Sequence, residues 1–322
     1  MAEKTIPLRD LQIVHLPVIN LSLAAPLQQA VFIDAGSMIL FTTPSRVIGI
    51  IRVCAVHTAG LQRTRIERVT YLVSITQECD AADDEVFLSS AEPIGQSDER
   101  IEQCLTRTIT KKEIADASRE FNLSTLLDTL RTLAERAFAP FDGVVVFDGS
   151  IRTTNRYLQN HLLYREHEYA LAKSSSLVTN KHRPLGAAIK QIVARTAGNL
   201  SKTNTLGWSV SLGAAGGALL SCVQLHASSK HVFLLEGNAR CDEKSLASIA
   251  SLLASWSCDA AFLGYPYPLL LADQLARVTM QEQATWKALL ATNATVGPLL
   301  FEELRSSDAH ATFEHILYGK GF

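Results

Sequence analysis

The sequence lacks the patterns that mark several large protein classes. Its six cysteines, Cys54, Cys79, Cys104, Cys222, Cys241 and Cys258, form no Cys-x-x-Cys pair, and none lies at zinc-ligand spacing from a histidine pair. The nine histidines give no His-Glu-x-x-His arrangement. A zinc ribbon and a helix-borne metalloprotease site are therefore excluded. No apolar run approaches the roughly 20 residues of a membrane-spanning helix. The opening MAEKTIPLRDLQ has neither the basic head nor the apolar stretch of a secretory signal. Cysteines that read as reduced and mostly buried then suggest a cytoplasmic chain with no membrane association. No repeat and no Gly/Ser- or Pro-rich linker interrupts the 322 residues, so a single domain is expected over 1–322. An excess of positive charge is also missing: the formal net charge is -2, with 19% charged residues. That argues against a nucleic-acid coat protein. It leaves open an enzyme that keeps acidic metal ligands inside a locally basic channel.

What is present is apolar and patterned. Hydrophobic residues make up 47% of the chain, enough for a large core. Residues 1–28 read as an irregular lead-in. Ala30–Phe41, Arg46–Val56 and Ile66–Ile75 are β-branched runs in series, which predicts a meander of adjacent strands. Residues 76–120 are polar and read as a mobile insertion, whose DAADDE at 80–85 is a solvated acidic loop rather than a metal site. Ser124–Phe138 places Leu126, Leu127, Leu130, Leu133, Ala134, Ala137 and Phe138 on one helical face. GVVVFDGSI at 143–151 then reads as a strand buried on both faces. Pro184–Ala197 predicts a helix. Leu206–Leu212, Ala218–His226 and His231–Glu236 predict strands. Leu246–Trp256 and Pro268–Leu290 predict two more helices. The order implies an α/β fold: a mixed β-sheet flanked by helices.

Two segments echo each other, FIDAGS at 32–37 and VFDGS at 146–150. Each puts an aspartate where an apolar strand meets small residues. Taken singly, each is a turn. As a pair, Asp34 and Asp148 would stand at the carboxyl ends of adjacent strands, where ligand sites of open sheets gather. Two such carboxylates suit a hard divalent cation, Mn²⁺ or Mg²⁺.

The series FIDAGS, the amphipathic helix running into VVVFDGSI, ALAKSS at 170–175 and GYPYPLLLADQLARVT at 264–279 resembles the NurA nucleases. The resemblance spans roughly residues 30–280. It implies an RNase-H-like sheet and Mn²⁺- or Mg²⁺-dependent hydrolysis of DNA phosphodiesters, by 5′-to-3′ exonuclease or single-strand endonuclease action. It also implies a homodimer working with a HerA-type hexameric ATPase in DNA end resection and repair. By the same resemblance Asp34 and Asp148 are the central catalytic and metal-binding aspartates. Lys173 is a phosphate contact, and Tyr265 is a tyrosine of the site. The family's glutamate on the preceding helix has two counterparts, Asp128 and Glu135. Both fall away from the apolar face, about 10 Å apart along the helix, and spacing favours Asp128. Where the family often has a histidine, this chain has Asp273, which binds a hard cation but is no cationic acid.

That departure motivates an alternative, a catalytically weakened structural partner of a DNA-translocating ATPase. A third reading, an actin-like or sugar-kinase-like phosphotransferase, needs a second glycine-rich phosphate loop. Its sole candidate, LGAAGGALL at 212–220, reads instead as a hairpin turn. DNA contacts would come from Arg63, Arg65 and Arg68, from Lys111 and Lys112, and from Lys181 and Arg183.

Overall fold

The computed structural model describes residues 18–22, 29–79, 85–114, 122–139, 143–153, 155–161, 167–173, 206–215, 217–238 and 240–293. Its strands are β1 (Ile19–Leu21), β2 (Gln29–Thr42), β3 (Arg46–Ala59), β4 (Gln62–Cys79), β5 (Glu85–Pro93), β6 (Arg107–Thr110), β7 (Val144–Asp148), β8 (Glu168–Lys173), β9 (Gly207–Ala215), β10 (Ala218–Gln224) and β11 (Phe233–Asn238). The helices are α1 (Glu99–Leu105), α2 (Lys111–Ile114), α3 (Leu123–Ala137), α4 (Arg156–His161), α5 (Glu243–Ser255), α6 (Tyr267–Ala276) and α7 (Met280–Thr292).

All of these strands join one mixed sheet in the order β1-β9-β10-β11-β8-β7-β2-β3-β4-β5-β6. β7 runs parallel to both β2 and β8, and the other pairings are antiparallel. The expected mixed α/β sheet flanked by helices is what forms. Strand alternation sends successive side chains to opposite faces. Val31, Ile33 and Ala35 pack with Leu126, Leu130 and Leu133 of α3 on one face. Ala30 and Phe32 pack on the other, with Leu246 and Leu253 of α5 and Leu269 and Ala272 of α6. Beside them Leu40, Ile48 and Ile50 lie under Leu290 of α7.

Several expectations change. The lead-in is not irregular throughout, because Ile19–Leu21 pairs with β9 and Leu21 is fully buried. The polar stretch 76–120 is not loose in the sense its composition suggested. Its described residues supply the end of β4, then β5, α1, β6 and α2, the outer margin of the sheet. Asp80–Asp84 of the acidic run lie outside the described residues, and Glu85 opens β5 in an ion pair with Lys111. α3 starts at its Asn122 cap, whose side chain accepts from Thr125 N in a capping box. Pro268–Leu290 is two helices rather than one. Thr279 and Glu282 form a second capping box that starts α7, so the chain breaks at Arg277–Thr279. The predicted helix Pro184–Ala197 lies outside the described residues. LGAAGGALL is the β9–β10 hairpin, closing at Ala215 opposite Ala218, so it offers no phosphate loop.

Arg52, buried on β3, fixes the break between α6 and α7. Its guanidinium donates to Thr70 Oγ1 at 3.1 Å, to the Arg277 carbonyl at 3.0 Å and to Glu282 Oε1 at 2.8 Å. α6 also lies directly against strand backbone: a Cβ on Gly36 would fall 2.4 Å from the Ala276 carbonyl oxygen. Only glycine permits that approach.

Candidate active site

β2 and β7 are hydrogen-bonded in parallel from Ala30↔Val144 to Ile33↔Phe147, and the pairing ends there. The next residue on each strand is an aspartate, but only Asp148 ends its strand. Asp34 lies inside β2, paired with Cys54 of β3, and not at the expected carboxyl end, because β2 runs on to Thr42 along β3 after β7 leaves it. Asp34 and Asp148 therefore stand side by side where two parallel strands part, on the face shared with Phe32 and Val146. α6 crosses that face and adds Asp273. One carboxylate oxygen from each of the three lies within 4.8 Å of the others, and all three residues are half-buried.

The charges around Asp34 favour a cation. Its carboxyl is pushed up to about 8, first by burial and then by the negative charges of Glu135, Asp148 and Asp273. Tyr265 Oη donates to Asp148 Oδ2 at 3.1 Å and so orients that carboxylate. Burial, then the Asp148 charge, raise the Tyr265 phenol far above its ordinary range, so it stays a donor. Asp273 Oδ2 accepts from Arg277 Nη2 at 2.9 Å. Ligands about 2.1 Å from an octahedral Mg²⁺ lie about 3.0 to 4.2 Å apart. A spread of up to 4.8 Å reaches that with small side-chain rotations. The donor set, all carboxylate oxygen, fits Mg²⁺ or Mn²⁺ and not a soft metal.

The helix acid nearest this group is Glu135, not Asp128. Glu135 is buried, lies close enough to raise the Asp34 carboxyl, and is itself raised, chiefly by burial. It accepts from Arg131 Nη1 at 3.2 Å, and the same nitrogen donates at 3.0 Å to the carbonyl of Ala35, just past the point where β7 leaves β2. The Asp128 side chain is 69% exposed and accepts from Ser37 Oγ at 2.9 Å. Spacing along the chain misleads here because side-chain packing fixes the helix level. The Arg136 guanidinium stacks 3.6 Å over the Phe147 ring. Glu135 thus stands beside the point where β2 and β7 part, and Asp128 lies about 10 Å further along the axis.

Lys173 is the last residue of β8, opposite Phe233 and two positions beyond Leu171, the strand partner of Asp148. Arg63, Arg65 and Arg68 lie exposed on β4, but Arg65 pairs with Glu67 at 2.8 Å and a ladder irregularity at His57/Thr58 separates Arg63 from Arg65. Lys111 is spent on Glu85. Lys181 and Arg183 lie outside the described residues. Sequence alone does not single out Arg131, Arg152 or Glu236. Glu236 carries a legible signal, a charged residue inside the apolar run VFLLEGN, since glutamate is almost never fully buried without partners.

No family model matches the chain, and no curated protein matches it. Among solved structures the chain is similar to the NurA nuclease from Sulfolobus solfataricus, at 14% identity over 86% of each chain and a TM-score of 0.42. It is also similar to the catalytic domain of human endonuclease V, at 13% identity over 82% of this chain and 84% of that one, with a TM-score of 0.34. Endonuclease V of Ciona intestinalis, solved with inosine-containing DNA, has 10% identity over 82% of this chain and 87% of its own, also at 0.34. Among the described residues, no helix is long and apolar enough to cross a membrane.

Proposed function

We propose that this chain is a metal-dependent nuclease of the NurA type that hydrolyses DNA phosphodiesters. The observation that carries this reading is the set of carboxylate oxygens of Asp34, Asp148 and Asp273, gathered within 4.8 Å where β2 and β7 part. These three residues would hold Mn²⁺ or Mg²⁺, and Glu135 stands next to them from α3. Bound there, a divalent cation supplies an acidified water and charge neutralisation at the phosphodiester. The chain's own residues do the rest. Tyr265 fixes the Asp148 carboxylate by a hydrogen bond. Arg131 holds Glu135 against β2. The raised proton affinity of Asp34 opposes ionisation of all the acids at once until a cation compensates it. With Asp273 in place of a histidine, the site has one more negative charge and one fewer proton donor. By the sequence resemblance, Lys173 would contact phosphate. From the sequence resemblance we extend the proposal to a homodimer that acts with a HerA-type ATPase on DNA ends, in resection and repair.

A second reading, the catalytically weakened partner of such an ATPase, has one observation in its favour: Arg277 already engages Asp273. One experiment separates them. End-labelled linear single- and double-stranded DNA is incubated with the purified chain in Mn²⁺, Mg²⁺ or EDTA, beside the Asp34→Ala/Asp148→Ala variant. Metal-dependent cleavage that the variant lacks is the expected result. No cleavage, even with the partner ATPase added, sinks the nuclease reading. Cleavage that survives in the variant removes Asp34 and Asp148 from the site.

A further inference from the structure

Asp148 is followed at once by a turn, with Gly149 at φ 107°, and what holds that turn comes from the far side of the sheet. Glu236 of β11 is fully buried. Its Oε2 accepts from Ser150 Oγ at 2.7 Å and from the Ile151 amide at 3.0 Å. Its Oε1 accepts from Arg152 Nε at 3.0 Å and Arg152 Nη2 at 2.7 Å. Glu236 is the strand partner of Ala170, which in turn partners Phe147. The carboxylate therefore reaches past the short side chain of an alanine to the end of β7. From α3, Arg136 Nη2 approaches the Ser150 carbonyl at 3.4 Å. The turn is thus gripped by an anion on one side and a cation on the other. Each Glu236 oxygen is occupied by donors from the turn, and Arg152 balances its charge.

This grip lies on the α3 face, opposite Asp34, Asp148 and Asp273, and the side-chain hydrogen bonds of Glu236 all go to residues 150–152. We infer that Glu236 is a positioning residue: by pinning residues 150–152 it fixes where the Asp148 carboxylate stands, and so sets the affinity of the site for its divalent cation. The inference rests on the metal-dependent reading above. Partners that orient a ligating carboxylate typically change metal affinity by about 10- to 100-fold when removed.

The test uses the full chain and Mn²⁺ alone. Glu236→Ala and Glu236→Gln are compared with the wild type by titration calorimetry of Mn²⁺ and by amide hydrogen exchange of the metal-free protein. Tyr71→Phe is the control for lost stability. Its hydroxyl serves the Asp98 backbone near α1, away from the acid cluster. The expected result is an Mn²⁺ Kd about 10- to 100-fold weaker in Glu236→Ala, with faster exchange at 150–152. Glu236→Gln keeps the bonds to Ser150 and Ile151, releases Arg152 and shows a smaller loss. Tyr71→Phe keeps the wild-type Kd. If the alanine variant does not fold, the glutamine variant decides. Wild-type affinity in every folded Glu236 variant overturns this inference and leaves the metal reading intact. An absence of Mn²⁺ binding by the wild type overturns the metal reading, and this inference with it.

Discussion

Asp34 and Glu236 are both carboxylates inside one sheet, on opposite faces, and their surroundings differ in kind. Glu236 is met by a guanidinium, a hydroxyl and a backbone amide, so its charge is neutralised within the chain. Asp34 is met by three other acids. A buried charge costs several kcal/mol unless it is paired. The chain has satisfied one carboxylate completely and left the other among acids whose two arginines, Arg131 and Arg277, pair with Glu135 and Asp273 rather than with Asp34. The difference teaches where to look for work: the balanced acid holds structure, and the unbalanced cluster is set up to take charge from outside.

The comparison breaks most visibly if the unbalanced acids are removed. Asp34→Ala/Asp148→Ala is expected to lower DNA cleavage by on the order of 10³-fold or more, because the lost cation supplies several kcal/mol of transition-state stabilisation. Next, the two helix acids should separate. Glu135→Gln is expected to reduce the cleavage rate by about 10- to 100-fold, as loss of a group beside the metal ligands does. Asp128→Asn, exposed and bonded to Ser37, should leave it unchanged. Equal loss in both variants would restore Asp128 to the site.

Stability against pH sharpens the contrast further. The Asp34 carboxyl is raised to about 8 in the folded chain, from an ordinary value near 3.8. The folded state therefore keeps a proton that the unfolded state has released over this window. Its stabilising contribution is complete below the lower value and is lost as pH rises through the upper one. In EDTA the melting temperature should fall between about pH 4 and pH 8, the free energy changing by roughly a few kcal/mol. Asp34→Asn should flatten that fall, and Mn²⁺ should restore stability at the alkaline end. A flat profile for the metal-free wild type would mean that the acids are not crowded as described. The smallest effect concerns the mount of Asp273. Thr279→Ala removes the α7 cap and should cost about 1 kcal/mol, read as a lowered denaturant midpoint, with cleavage falling less than in Glu135→Gln.

Much of this was legible in the sequence because it was written in local patterns. The strand runs at Ala30–Phe41 and Gly143–Ile151 carry the aspartates that the sheet brings together, Asp148 at the end of β7 and Asp34 inside β2. The leucine stripe of α3 packs as its period implies. The lost parts depended on distance in space. Asp128 and Glu135 share a helix side that sequence marks as polar, and only the packing shows Glu135 buried and tied through Arg131 to β2 while Asp128 is exposed. The break after Ala276 is announced by Thr279 and Glu282, a start signal hidden inside an apolar stretch. Its anchor, Arg52, is far away in the chain. Glu236 advertised its burial, but its partner turn lies two strands across.

Gly36 gives the site a further property. Strand β2 and the end of α6 meet backbone to backbone, so the clearance between Asp34 and Asp273 is set by the main chain and not by the rotamer of an intervening side chain. The opening therefore behaves as a fixed gauge. For a bound cation it would discriminate by ionic radius, since a small cation such as Mg²⁺ demands near-ideal geometry while a larger one accepts a looser shell. A longer acid at any corner would not be absorbed by the helix settling closer, because at Gly36 there is nothing left to compress.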